Sequence, residues 1–338
     1  MKQYRLPSSQ QYDDLVISET DMPVPKRGQV LVRMRATSLN YRDLAIIAGR
    51  YRIATDTRFD VVPLSDGAGD VVETGADVTR VKTGDRVVNT FVPGLVTGQV
   101  TVNELGKLRG GPQSGVLSEY VVFEQEDLVV LPAGIDYTAA ACLPCAGVTA
   151  WNSLFCGPQP LLPGQTVLIL GTGGVAIMAL QLAGAGGAKT IITSSSDEKL
   201  ALAAELGAWA GINYRDVEAW PAEVKRLTAG CGADHTVETG GPGTLAKSVA
   251  ATRFGGSVGM IGVLAEGQVN PIDIMHQGLI VRSVLTGSRT MLEDLVRAVE
   301  FHDIPVVINR VFTFNEAADA YRYLESAQHV GKVVIIFD

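Results

Sequence analysis

A short apolar run, Val167-Leu168-Ile169-Leu170, leads straight into Gly171-Thr172-Gly173-Gly174-Val175-Ala176. A run of that length bounded by glycine reads as a buried strand, and the stretch that follows, to Ala183, is compatible with a helix. Between a strand and a helix, the spacing Gly171-x-Gly173-x-x-Ala176 has a definite physical use. The first glycine permits a tight turn, and the second lets the backbone approach a pyrophosphate. The small third residue lets helix and strand pack closely. The N-terminus of the helix then offers free N–H groups and the positive end of its dipole to phosphates. The plain alternative is a glycine-rich turn that binds nothing, and the strand–turn–helix context weighs against it.

The surrounding pattern extends this reading. Candidate strands at 190–193, 210–213, 235–238, 257–261 and 280–285 alternate with helical stretches. Such alternation predicts an α/β fold with a doubly wound parallel sheet over residues 146–286. The second strand ends in Ser194-Ser195-Ser196, with Lys199 shortly after. A carboxylate at that point would bind the ribose 2′-hydroxyl of NADH and repel the 2′-phosphate of NADPH. Serine hydroxyls and a lysine offer a phosphate hydrogen bonds instead, one of them charge-assisted, so the expected coenzyme is NADPH. The serines also suit a helix start. Ser195 and Glu198 have capping-box spacing, and Asp197 and Glu198 complement the dipole. Leu200, Ala203, Ala204 and Gly207 are expected on one face of that helix.

Residues 1–145 read differently. Val30-Leu31-Val32-Arg33-Met34-Arg35 alternates in part, Gly67-Ala68-Gly69 leads into Val71-Val72-Glu73, and Gly84-Asp85 precedes Arg86-Val87-Val88. Turn residues at such short intervals suit a small barrel or curled sheet. Residues 92–115, rich in glycine, proline and polar residues, read as a long loop, functional or mobile. After a helical stretch at 292–300, the chain ends in Val333-Val334-Ile335-Ile336-Phe337, a strand that has to pair with something. Placing it with the first segment gives one domain from 1–145 and 287–338, and a second from 146–286.

Composition narrows the functional class. A length of 338 residues suits two domains, and 46% hydrophobic against 19% charged residues can bury a large core, which excludes a disordered chain. A net charge of −8 disfavours nucleic acid and anionic membranes as partners. No apolar run reaches the ~20 residues of a membrane span, and residues 1–11 are polar, so a cytoplasmic protein is expected. Four cysteines are too few for a disulfide framework in a chain this long. Cys142-x-x-Cys145 lacks a thioredoxin-like context, and no further zinc ligands lie near it. The favoured reading is two buried small hydrophobes.

Taken together, the motifs resemble the medium-chain dehydrogenase/reductase superfamily over nearly the whole chain. Pro23-Val24-Pro25, Gly28-Gln29-Val30-Leu31-Val32, Gly67-Ala68-Gly69 and Gly84-Asp85-Arg86-Val87 resemble its GroES-like, β-rich catalytic domain. Leu143-Pro144-Cys145-Ala146-Gly147-Val148-Thr149-Ala150 resembles its domain junction, Gly171 to Val175 its nucleotide loop, and Gly331-Lys332-Val333-Val334 its last strand. The expected fold is therefore a GroES-like domain plus a Rossmann sheet. The resemblance places Thr149 and Val175 near the nicotinamide, Lys332 near the pyrophosphate, and Ser195, Ser196, Lys199 and Tyr214 near the 2′-phosphate. It adds Thr239, Gly262, Val263 and Ser288 to the cofactor-binding set. Family members are commonly homodimers or homotetramers, so either is expected.

Zinc enzymes of this superfamily use Cys, His, sometimes Glu, and a second Cys around a catalytic metal. Here Asn40 stands at the first position, Ser65 and Asp66 at the next two, and only Cys145 matches. The four-cysteine structural lobe is missing as well, so no zinc is expected. Asn40-Tyr41-Arg42-Asp43, followed by Gly49-Arg50-Tyr51, resembles the zinc-free quinone oxidoreductase branch, in which the matching Asn and Tyr line the site beside the nicotinamide. Residues 92–115 depart from the short loop of that branch. Without a Lewis acid, hydride addition to an isolated ketone leaves a costly alkoxide, whereas an enone or quinone yields a delocalised anion that hydrogen-bond donors can stabilise. Asn40, Tyr41 and Tyr51 are the expected catalytic residues, with Asn40 the donor to the oxygen and Tyr51 a proton donor, since a phenol with pKa about 10 donates at neutral pH. Residues 40–66 are the expected wall for a small-molecule substrate. Two rival readings stay open: an alcohol dehydrogenase or ketone reductase, and a non-catalytic NADPH-binding protein.

Overall fold

The computed structural model describes residues 1–51, 60–264 and 266–337. Contacts divide the chain into two units, Met1–Val148 with Thr286–Asp338, and Thr149–Leu285.

The first unit opens with β1 (Lys2–Arg5) and β2 (Val16–Glu19), paired antiparallel. β3 (Gln29–Leu39) is the strand around which the main sheet forms. β4 (Asp66–Thr74) runs antiparallel to β3, with register shifts at Leu31/Val32 and Met34/Ala36. Such irregularities bend a strand pair and raise its twist. β5 (Arg86–Asn89) pairs β4, β6 (Tyr120–Glu124) pairs β3, and β7 (Leu128–Val130) pairs β5, which produces the curled sheet. Helix α1 (Tyr41–Ile47) follows β3 after one residue, so its N-cap, Asn40, stands at the strand end. The 92–115 stretch contains a short helix, α2 (Val102–Leu105), capped by Thr101. Leu95 and Leu108 from this stretch bury against Phe91 and Val92, which anchors it at both ends. α3 (Tyr137–Ala140) and a π turn at Leu143–Gly147 lead into α4 (Val148–Phe155).

The second unit alternates strand and helix. β8 (Thr166–Leu170), α5 (Gly174–Ala185), β9 (Lys189–Ser194), α6 (Asp197–Glu205) and β10 (Ala210–Asn213) form its first half. α7 (Trp220–Leu227), β11 (Ala233–Glu238), α8 (Pro242–Ala251), β12 (Thr252–Met260), α9 (Pro271–His276) and β13 (Ile280–Ser283) form the second. All pairings in this sheet are parallel, in the order β10-β9-β8-β11-β12-β13. The order reverses between β8 and β11, the doubly wound Rossmann arrangement. Val167, Leu168 and Ile169 are all buried, as a strand covered on both faces requires, and this explains why the run shows no alternation. On the α6 face, Ala203 is buried but Ala204 and Gly207 are exposed, because the contact stripe is narrower than expected.

The chain then returns to the first unit with α10 (Arg289–Phe301), β14 (Ile308–Thr313), α11 (Ala317–Glu325) and β15 (Lys332–Ile336). β15 sits between β14, parallel, and β3, antiparallel. Val333 and Ile335 join Val30, Val32, Leu39 and Phe123 in that unit's core, where a fully buried aliphatic side chain contributes ~1.5–3 kcal/mol. Among the described residues, no helix is long and apolar enough to cross a membrane.

Candidate active site

In the second unit most of the expected cofactor residues follow the carboxyl ends of β8, β9, β11 and β12, while Tyr214 follows β10 and Thr149 lies in α4. Gly171 has φ +77°, a left-handed turn conformation open to glycine without strain. Gly173 is the N-cap of α5 with no side-chain cap, and a Cβ built on it meets nothing within 4 Å. The first turn of this helix therefore presents bare N–H groups beside open space, a cradle that fits a pyrophosphate. Thr172 is buried, whereas Gly174 and Val175 are half-buried. Thr239 Oγ1 donates to the Leu170 carbonyl at 2.5 Å, tying the end of β11 to the loop. Gly262 lies so close that a Cβ there would stand 1.9 Å from the Thr239 carbonyl oxygen. Val263, next to it, is exposed, and Thr149 is buried.

Sequence reasoning passed over Glu238. Wholly buried at the end of β11, its Oε1 accepts from Gly240 N–H (2.7 Å), Gly241 N–H (2.9 Å) and Thr244 Oγ (2.7 Å), and its Oε2 from Ser248 Oγ. A carboxylate so fully engaged fixes the 239–244 turn. The signal was an acidic residue closing a strand just before Gly240-Gly241-Pro242.

At the end of β9, Ser194 is buried and its Oγ accepts from Ser196 N–H at 3.3 Å. The helix cap falls at Ser196, which accepts from Lys199 N–H, and not at Ser195 as the capping-box spacing suggested. β9 stays paired through Ser194, which makes Ser195 the connecting residue. Ser195 is half-buried, Tyr214 is exposed, and burial lowers the Lys199 pKa. Ser288 belongs to the first unit, where it caps α10 by accepting from Met291 N–H.

The first unit holds a compact knot of polar side chains from four distant segments. Asp66 is fully buried and accepts three hydrogen bonds: from Ser65 Oγ (2.6 Å), Asn40 Nδ2 (3.0 Å) and Cys145 N–H (3.0 Å). Asn40 N–H donates to Asp43 Oδ2 at 2.7 Å, and Asn40 Oδ1 accepts from Lys332 Nζ at 2.6 Å. Lys332 is only 5% exposed and also donates to the Leu39 carbonyl at 2.5 Å. Burial raises the Asp66 pKa, opposed chiefly by Lys332. Burial likewise pushes Asp43 up to about 6, opposed by Arg42. Arg42 is buried against Asp43, donates to the Arg109 carbonyl at 3.0 Å, and lies between the Tyr51 and Phe91 rings at 5.0 and 4.9 Å. Burial also raises the Tyr51 pKa, which keeps the phenol protonated. Asn40, Lys332 and Cys145 are thus brought together, with Tyr51 linked to them through Arg42. Tyr41 points outward, about half exposed. Of the expected wall at 40–66, residues 52–59 lie outside the described residues.

The donor set of this knot departs from the Cys, His and Glu ligands of the superfamily's zinc enzymes: Asn40 and Ser65 stand at two of those positions. The Asp66 oxygens are already hydrogen-bonded, Asn40 Oδ1 is held by Lys332, and an ammonium adjoins the place where a dication would need ligands. Among the described residues, no cluster of three or more His, Cys, Asp or Glu stands ready for a metal.

A GroES-like unit with a buried polar knot, joined to a Rossmann unit with an open phosphate cradle, defines a dinucleotide-dependent oxidoreductase. Residues 26–133 match the alcohol dehydrogenase GroES-like domain, and residues 174–301 match the zinc-binding dehydrogenase family. A zinc-type alcohol dehydrogenase-like protein of Schizosaccharomyces pombe is 39% identical over 335 residues, covering 97% of this chain and 96% of that one. An NADPH-dependent alkenal/one oxidoreductase of Arabidopsis thaliana is 32% identical over 330 residues, covering 95% of this chain and 76% of that one. The crystal structure of a quinone oxidoreductase from Pseudomonas syringae superposes with a TM-score of 0.82 at 26% identity, covering 99% of each chain. The chain belongs to the medium-chain dehydrogenase/reductase superfamily and is an oxidoreductase of that family.

Proposed function

We propose that this protein uses NADPH to reduce the activated double bond of an enone or enal, or a quinone, without a metal ion. The observation that carries the reading is the knot itself: Asn40 and Ser65, at two positions where the resemblance expects metal ligands, are hydrogen-bond donors to Asp66, and the Lys332 ammonium holds Asn40 Oδ1 beside them. The Arabidopsis relative, whose name specifies NADPH and alkenal/one substrates, supports the same class.

The Gly171–Val175 loop and the first turn of α5 would hold the pyrophosphate, and Ser195, Ser196 and Lys199 the 2′-phosphate. NADPH, when bound, supplies a hydride to an electron-poor carbon. Asn40 donates from its amide to the carbonyl oxygen on which negative charge develops, and Tyr51 delivers a proton as a neutral phenol. A delocalised enolate or phenolate needs only such donors, which is why this chemistry suits a site without a Lewis acid.

The test is an NADPH-oxidation screen over quinones, enones, enals and ketones, run on untagged protein with and without chelator. Turnover of enones, enals or quinones that survives chelation is expected. Activity confined to alcohols or simple ketones and abolished by chelation would replace this reading with a zinc alcohol dehydrogenase. Tight NADPH binding without turnover of any acceptor would leave a non-catalytic binder.

A further inference from the structure

The resemblance assigned Lys332 to the cofactor pyrophosphate, whereas the structure gives its ammonium other partners. Nζ donates to the Leu39 carbonyl (2.5 Å) and to Asn40 Oδ1 (2.6 Å), with the side chain buried. On the other side of the same amide, Asn40 Nδ2 donates to Asp66 Oδ2 (3.0 Å). An ammonium has donors only and an ionised carboxylate has acceptors only. Ser65 Oγ and Cys145 N–H also donate to Asp66, which holds it in the accepting role.

Resting on the reading just given, we propose that Lys332 is a positioning residue that fixes the orientation of the Asn40 amide. A flipped amide would set Nδ2 hydrogens against the ammonium and Oδ1 against the carboxylate, so two charge-assisted hydrogen bonds oppose the flip. One Nδ2 hydrogen is committed to Asp66. The other keeps a single direction, available to the oxygen of an acceptor. A donor aimed before the reaction needs no reorganisation as charge develops, which is the condition for strong electrostatic stabilisation. Leu39 and Asn40 lie at the end of β3, and Lys332 opens β15, paired with β3. The sheet therefore sets the distance between cation and amide.

A double-mutant cycle tests this with Lys332→Met, Asn40→Ala and their combination, assayed with NADPH and the best acceptor from the screen. Asn40→Ala is expected to lower kcat about 100-fold, the effect of removing one oxyanion donor. Lys332→Met should lower kcat at least about tenfold alone and less than about twofold when added to Asn40→Ala, because residues acting through one another are not additive. NADPH Kd, from fluorescence titration, should stay within about threefold in every variant, since neither side chain is assigned to the cofactor. Lys332→Gln, which keeps a donor for Oδ1, should recover part of the loss, and it replaces Lys332→Met in the cycle if that variant does not fold.

Two outcomes would overturn the proposal: equal losses of kcat in both backgrounds, or a large rise in NADPH Kd with kcat retained, which would return the ammonium to the pyrophosphate. An unchanged kcat in Asn40→Ala would instead remove the donor role on which the proposal rests. A crystal structure of Lys332→Met gives a readout apart from activity: a turned Asn40 amide supports the proposal, and an unturned one counts against it.

Discussion

The two units build their sites from opposite materials. In the Rossmann unit the cradle is backbone: a glycine turn, the bare N–H groups of α5, and one buried carboxylate that fixes the neighbouring loop. In the GroES-like unit the knot is made of side chains, two buried carboxylates facing two buried cations. A backbone site depends on local conformation and tolerates any side chain that leaves the path open. A side-chain site depends on charge balance, and removing one partner strands another in a low-dielectric interior.

That contrast is most easily broken at Asp66. In Asp66→Ala the donors Ser65, Asn40 and Cys145 lose their buried acceptor, and Lys332 loses the carboxylate it faces through the Asn40 amide, which is expected to cost about 3–5 kcal/mol and to lower Tm by about 10 °C. An unchanged Tm in calorimetry would mean that the knot does not depend on charge balance. A smaller effect is expected where backbone meets backbone. In Gly262→Ala the new Cβ would collide with the Thr239 carbonyl. A local shift costing about 1–3 kcal/mol should weaken NADPH binding while leaving the pH dependence of stability untouched. Normal affinity in a fluorescence titration would show that the 239–262 contact does not shape the cradle.

Smaller again is the effect of Ser195→Asp, a carboxylate placed where the 2′-phosphate is proposed to bind. The ratio of NADPH to NADH affinity should fall about tenfold or more, equivalent to ~1.4 kcal/mol. An unmoved ratio would take Ser195 out of the phosphate set.

A last test is one of pH. Because burial raises Asp43 to about 6 in the folded protein, the folded state holds its proton more tightly than the unfolded state does. The contribution of Asp43 to stability is therefore fully present below about pH 4, falls as pH rises to about 6, and is constant above that. The Tm of the wild type minus that of Asp43→Asn should decrease across this window. An increase would show that Arg42 favours the carboxylate more than burial opposes it.

The same contrast explains which features are legible in the sequence. The strand–turn–helix at 167–183 was legible because its conformation and its function depend on the same few adjacent residues. Asn40 was flagged by the resemblance, at the position of the family's first metal ligand, and Cys145 by its motif. The alliance of Asn40, Asp66 and Cys145 with Lys332 was not legible, because residues so far apart in the chain become neighbours only when β15 pairs with β3. Ser195 in place of Ser196 as the cap was a local error, decided by how far the β9–β10 pairing extends.

By itself the sequence determined the alternation of strand and helix in the second unit and the glycine turn, because periodicity and local backbone freedom are properties of neighbours. Only the tertiary structure decided where each buried charge found its counter-charge. Burial makes an unpaired charge so costly that the fold must bring partners together, and nothing in the linear spacing says which.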